Sequence, residues 1–419
     1  MLRQLRGLLL TDTGRDTAIV FTGSLINLAL GGLFFILAPR ILGPENFGLF
    51  AVVTATGIMA INFANFALDT GILKFASANN DQSKKILSLA FKAYLIIGVA
   101  VFLIGLIIAS PLAKILGQPQ ITNLLRISFF GVIFVLLTNF FIAALQSKKQ
   151  FAKASIVNIS GNTARILLLV LGAYFFTVNL YFLTFLYYLV VIISVVIGKF
   201  FVPLNFLSEK TPANLVKNFL GYNFWIAASM AISSIPIDEY LLVKISGPIQ
   251  TGLFAAPMKI ISAIDQLTGD FTRVLAPRFT SFDSNEKAKI FAKKTIPVVL
   301  VISIGIFLTI LIASPLIKFL FGAQYLESIN VYRILVISSA LGFFTTIPVS
   351  IIIYYFGKTK DVFLMSAIGI FVWLIANLLL IPKYAALGAA WAYFISVVVG
   401  IVLFVGYVIV KFSKNNGKN

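Results

Sequence analysis

The chain has no cysteine and no histidine in its 419 residues. The first absence excludes disulfides and thiolate nucleophiles. The second removes the commonest general base, and the two together exclude haem and most zinc chemistry, so no metal site is expected. Charge is also scarce, at 11% of residues, with 14 acids against 33 bases. An enzyme made from this chain would have to work with carboxylates, lysines and hydroxyls alone. The formal charge of +19 lies between apolar segments and not in one block, so it is read as membrane topology and not as a nucleic-acid surface. What the chain does have is apolar length. It is 60% hydrophobic, with uncharged runs such as "AYLIIGVAVFLIGLIIAS" from Ala93 to Ser110. A soluble domain cannot hide that much apolar surface, so the composition predicts an all-α polytopic membrane protein.

Taking apolar runs of about 20 residues as spans predicts twelve helices, near 17–38, 47–73, 88–110, 122–146, 154–177, 180–200, 222–245, 252–276, 296–314, 329–356, 361–381 and 387–410. With the N-terminus inside, 24 of the 33 basic residues fall on the cytoplasmic side and seven outside, while Arg165 and Lys259 lie within spans. That asymmetry predicts that both termini are cytoplasmic. The basic start "MLRQLRGLLLTDTGRDTAIVF" lacks a small-residue cleavage site and is expected to be a retained amphipathic lead-in.

Two stretches are nearly duplicated. "ILGPENFGLFA" (Ile41 to Ala51) and "ISGPIQTGLFA" (Ile245 to Ala255) agree at seven of eleven positions, 204 residues apart. "IASPLAKIL" (Ile108 to Leu116) and "IASPLIKFL" (Ile312 to Leu320) agree at seven of nine at the same offset. Two matches at one offset point to an internal duplication into two six-helix lobes. Six is even, so the repeat is parallel, about an axis along the membrane normal. The expected organisation is a lobe over 1–202, a cytoplasmic connector over 203–221 and a second lobe over 222–419. Within the motif, Gly43 and Gly247 can end one helix in a left-handed conformation and Pro44 and Pro248 can begin the next. Gly48 and Gly252 allow close helix approach.

Polar residues inside spans are costly and are candidate functional groups. The fifth span carries Ser155, Asn158, Asn162 and Arg165 on one face, with Arg165 near mid-depth. That face reads either as a helix-packing hydrogen-bond ladder or as a cavity lining. Asn62, Asn65 and Asp69 form a similar stripe on the second span, as do Ser24, Asn27 and Gly31 on the first. Asp69 stands near Lys74, so a local salt bridge competes with a coupling role. In the second lobe Pro236 interrupts the seventh span beside Asp238 and Glu239, and the eighth supplies Lys259 and Asp265. Helical rise places Asp238 and Lys259 each roughly 10 Å from the external end. They can form a structural ion pair or a proton- or ion-responsive switch. Pro236 can free backbone carbonyls nearby. Asp270, Arg273 and Arg278 mark the cytoplasmic end of that span, and "SNEKAKIFAKK" (Ser284 to Lys294) is expected to rest on the membrane surface.

Four segments taken together resemble a known family: "RILGPENFGLF" (Arg40 to Phe50), "LDTGILKFAS" (Leu68 to Ser77), "GPIQTGLFAAPMKI" (Gly247 to Ile260) and "NLLLIPKYAALGAAWAYFIS" (Asn377 to Ser396). They resemble the Wzx-type polysaccharide-precursor flippases of the multidrug, oligosaccharidyl-lipid and polysaccharide exporter superfamily. The resemblance implies two lobes around a central cavity that opens alternately to either side. It also implies a cargo of oligosaccharide on a polyprenyl diphosphate, flipped from the cytoplasmic to the external leaflet. On that analogy Arg165 and Lys259 would hold the diphosphate and Asn27, Asn62, Asn65, Asn158 and Asn162 would serve sugar hydroxyls. Asp69, Asp238, Glu239, Asp265 and Pro236 would couple or gate. The resemblance implies no cofactor beyond a proton or sodium gradient, and no enzymatic step. Its partners would be the lipid-linked oligosaccharide, membrane lipids and polysaccharide assembly proteins, with no nucleic acid. The chain would act as a monomer in the cytoplasmic membrane of a prokaryote. The rival of the same fold is a cation-coupled multidrug exporter. The rival of another class is a membrane polysaccharide polymerase or glycosyltransferase, which would be expected to carry an extramembrane catalytic loop or acids clustered at a membrane face.

Overall fold

The computed structural model describes residues 12–77, 80–209 and 211–416, and these are helical almost throughout, with no strand among them. Hydrocarbon offers no partner to a backbone N–H or C=O, so a chain this apolar satisfies them within helices. In chain order these are α1 (Asp12–Asn65), α2 (Leu68–Ala76), α3 (Asn80–Ile115), α4 (Thr122–Ser147), α5 (Phe151–Phe175), α6 (Leu180–Tyr188), α7 (Ile192–Phe201) and α8 (Ala213–Ser233). They continue as α9 (Ile237–Ile245), α10 (Gly247–Thr280), α11 (Asn285–Leu308), α12 (Ala313–Phe321), α13 (Ser328–Gly342), α14 (Thr346–Ser350) and α15 (Thr359–Asn416). A π-helical turn, Ile351–Tyr355, follows α14.

Eight helical stretches among the described residues are long and apolar enough to cross a bilayer. Two of them, Thr22–Ala76 and Thr359–Ser413, run 55 residues each. The first is broken at Gly43 (φ 72°, ψ 170°) and again at Phe66–Ala67, between α1 and α2, and the second at Ala385 (φ 49°, ψ −125°). Six single stretches and two broken ones hold ten of the twelve expected crossings. The expected seventh and eighth spans fall on α8, α9 and α10, which are helical, with a break at Ser234–Pro236; the apolar run of α8 is interrupted by Asn214, Asn218 and Asn223, and α9 and α10 are richer in charge. The chain is a multi-pass membrane protein. Ile107, Leu311 and Phe200 are 76%, 79% and 83% exposed. Such side chains would drive aggregation in water, whereas in a bilayer they meet acyl chains.

The chain forms two compact units. One comprises the described residues up to Leu42 together with Leu49–Pro236; the other joins Gly43–Gly48 to the chain from Ile237 onward. The expected connector lies within the first unit and is tied to α3. Ser88 Oγ donates to the Glu209 carbonyl at 3.1 Å, and Thr211 Oγ1 donates to that of Lys85 at 3.0 Å.

The duplicated motif explains why six residues from early in the chain belong to the second unit. Gly43 and Gly247 both adopt positive φ, 72° and 83°, a region that costs a residue with a Cβ. Pro44 and Pro248 follow. A Cβ on Gly48 would overlap the Pro248 carbonyl oxygen and come within 2.8 Å of Gly252 N, and a Cβ on Gly252 would overlap the Pro44 carbonyl oxygen in the same way. Each copy's glycine is therefore the recess for the other copy's proline carbonyl, which is why both copies keep it. The second duplicated pair behaves differently in its two settings. Pro111 lies inside the continuous α3, whereas Pro315 lies at the start of α12, just after a 3₁₀ turn, Thr309–Ile312. Both copies stop at a positive-φ glycine, Gly117 or Gly322.

The lead-in through residue 11 and the side chains of Asp270 and Arg273 lie outside the described residues. The basic stretch from Ser284 forms the first turns of α11. Ser284 Oγ accepts from Lys287 N, and Lys287 Nζ bridges to Asp283 at 2.8 Å. That hydrogen bond holds the exposed Asp283 carboxyl below its usual range. Lys289 sits over the Phe412 ring, 5.0 Å from its centroid.

Candidate functional site

Two polar centres lie inside the membrane-spanning helices, one in each unit. The first is basic. Arg165, on α5, is 8% exposed, and the chain between α6 and α7 is non-helical over Leu189–Val191. A helix end leaves its last carbonyls without partners. Arg165 takes two of them: Nη2 donates to the Tyr187 carbonyl at 2.7 Å and Nε to that of Leu186 at 3.4 Å. Its Nη1 donates to Asn162 Oδ1. The guanidinium also faces the Tyr187 and Phe34 rings, 4.5 and 5.4 Å from their centroids. A planar fork of donors suits paired carbonyls and ring faces together, as an ammonium does not.

The polar stripes of the first and fifth expected spans meet each other. Asn162 Nδ2 donates to Asn27 Oδ1 at 2.7 Å, and Gly23 leaves room for Ser155, whose Oγ would lie 2.6 Å from a Cβ there. Ser160 and Ser194 hydroxyls, 3.0 Å apart, join α5 to α7. Asn62 and Asn158 are half-buried. A separate network surrounds Asp69: Tyr94 Oη donates to Asn65 Oδ1 at 2.8 Å, Asn65 Nδ2 to Asp69 Oδ1 at 3.2 Å, and Thr70 N to the same oxygen at 2.8 Å. The chain between Asn65 and Asp69 turns through Phe66 and Ala67 at positive φ, 46° and 50°. Two non-glycine residues in succession there constitute local strain.

The second centre is acidic. Pro236 and Asp238 are buried where α9 begins. Lys259 on α10 interacts with Glu239. Asp238 instead lies against Glu239 and Asn377 of α15. Its Oδ1 and the Oδ1 of Asn377 are both buried with no hydrogen-bond donor among the described residues. Beside them Asp265 accepts from Ser339 Oγ at 2.8 Å and from Tyr393 Oη at 2.9 Å. Two orphaned oxygens at one buried point are chemically a place for a proton or a small cation.

Sequence reading did not single out Asn377, Tyr393, Tyr187 or Ser339. The first two stand in the quoted segment "NLLLIPKYAALGAAWAYFIS", where a lone polar side chain in an apolar run was the available signal. Tyr187 acts partly through its backbone carbonyl, which carries no such signal.

Residues 36–330 match the family model described as "Polysaccharide biosynthesis protein". The chain belongs to this family. Among its relatives, a putative O-antigen transporter of Shigella flexneri is 24% identical over 191 residues, covering 45% of this chain and 46% of that one. The chain thus spans about half the length of the curated relatives it matches. The fold is that of solved transporters. The lipid II flippase MurJ in an inward closed conformation superposes with a TM-score of 0.75 at 16% identity, over 95% of this chain and 89% of that one. An inward-facing multidrug MATE transporter gives 0.77 at 15%, over 95% and 98%. At these identities the likeness shows the fold alone.

Proposed function

We propose that this member of the polysaccharide biosynthesis family is a flippase that carries a lipid-linked oligosaccharide from the cytoplasmic to the external leaflet. The observation that carries the reading is the family match over residues 36–330 of a chain otherwise built to cross a bilayer. The chemistry of the site supports it. A diphosphate cannot enter hydrocarbon bare, and Arg165 and Lys259 supply cations within the spans while Asn27, Asn62, Asn158 and Asn162 supply neutral donors and acceptors for sugar hydroxyls. The cargo class is a polyprenyl diphosphate bearing a surface oligosaccharide. The energy source is a proton or sodium gradient, read at Asp238, with Glu239 and Asp265 as its acidic neighbours. No covalent bond is made or broken. The protein acts as a monomer in the cytoplasmic membrane, with both termini inside.

The test is reconstitution in liposomes with a fluorescent polyprenyl-diphosphate oligosaccharide in both leaflets, following protection from an impermeant quencher. Protein-dependent loss of protection that Asn158→Ala slows is the expected result. No translocation of this lipid, together with gradient-driven efflux of cationic dyes, would overturn it in favour of a multidrug exporter.

A further inference from the structure

Helix α15 folds back on itself at Ala385, which brings its first and last turns to the same end of the pair. Between them lies a cavity of about 550 Å³. Asp361, from the first turn, and Lys411, from near the last, both line it, with Tyr407 donating its hydroxyl to Asp361 Oδ2. Met365, Leu403 and Val410 provide the apolar part of the wall, and Val410 is 53% exposed at its edge. Acids at helix starts and bases at helix ends are favoured by the backbone dipole. That preference accounts for each charge separately. It does not account for both facing one cavity, where among the described residues they make no ion pair with each other. Two opposite charges held apart over an apolar slot match a ligand that carries both charges and a hydrocarbon tail.

We infer that this cavity is a binding site for a bilayer phospholipid whose headgroup carries a primary ammonium. Asp361, oriented by Tyr407, accepts hydrogen bonds from the ammonium, Lys411 meets the phosphodiester, and the Met365, Leu403 and Val410 wall seats the start of an acyl chain. A quaternary ammonium of the choline type has no N–H to give Asp361, and an anionic glycerol headgroup would bring it no positive charge. The opposite end of the same helix pair supplies an internal control. A second cavity there, of about 430 Å³, is lined by Leu380, Tyr384, Leu387, Trp391 and Ile395 and holds no charge.

The experiment is native mass spectrometry of the purified full chain after exchange into equal amounts of phosphatidylethanolamine, phosphatidylcholine and phosphatidylglycerol, scoring the lipid retained. The ethanolamine lipid is expected to be retained about tenfold or more over the choline lipid, the value of one charge-assisted hydrogen bond. Stepwise N-methylation should erode that preference. This series uses the unaltered protein, so it does not depend on any variant folding. Asp361→Asn should abolish the preference, Lys411→Gln should lower retention of all three lipids, and Tyr384→Leu at the uncharged cavity should change neither. Equal retention of the three headgroups, preferred retention of phosphatidylglycerol, or a preference that survives in Asp361→Asn would each overturn the assignment.

Discussion

The two intramembrane polar centres solve the problem of a buried charge in opposite ways. In the first unit Arg165 is surrounded by acceptors: two helix-end carbonyls, an asparagine oxygen and two ring faces. In the second unit Asp238 keeps an oxygen that receives no hydrogen bond, beside an equally orphaned Asn377 oxygen. A satisfied charge is held in place and resists change, whereas an unsatisfied one is stabilised by whatever proton or ion arrives. On the function proposed above, the first centre serves architecture and cargo contact and the second serves response.

The largest effect is expected at Arg165. Arg165→Ala strands the Leu186 and Tyr187 carbonyls and should cost about 3 kcal/mol, read as a lowered unfolding midpoint in detergent. Arg165→Lys should recover less than half of that loss, because an ammonium cannot fork across both carbonyls. An alanine variant as stable as the parent would mean that the break between α6 and α7 stands without its cap. Gly48→Ala serves as a control of similar size placed outside both centres. Its methyl meets the Pro248 carbonyl oxygen and should cost about 2 kcal/mol or more. If its transport loss per unit of lost stability equals that of Arg165→Ala, the arginine has no role beyond structure. Tyr393→Phe removes one of two donors to Asp265 and should cost about 1.5 kcal/mol. Asp238→Asn should have the smallest effect on stability, within about 1 kcal/mol, because Oδ1 of this side chain receives no hydrogen bond. The same variant should abolish the dependence of transport on the proton or sodium gradient. Retained gradient dependence, or a large loss of stability, would erase the distinction between the two centres.

Much of this was legible in the chain itself. Apolar runs of bilayer length dictated helices, and the spacing of Asn27, Asn162 and Arg165 placed them on faces that do meet. The pairing within the acidic centre was not legible. Helical rise put Asp238 and Lys259 at equal depth, but the lysine interacts with Glu239 and the aspartate lies against Asn377, some 140 residues further along the chain. Depth follows from counting residues along an axis, whereas rotation about the axis depends on which helix packs alongside.

The duplicated glycines mark the same boundary. From sequence alone, a 204-residue repeat, positive-φ turns after Ile41 and Ile245 and a membrane-spanning helical class were determined, because each depends on local backbone chemistry and composition. Only the tertiary structure decided that Gly48 and Gly252 face each other's proline carbonyls, that Arg165 caps a neighbouring helix, and that one copy of "IASPL" lies within a continuous helix while the other is preceded by a 3₁₀ turn. Each of those depends on a partner remote in the chain, and identical local sequence responds to whatever surface it is packed against.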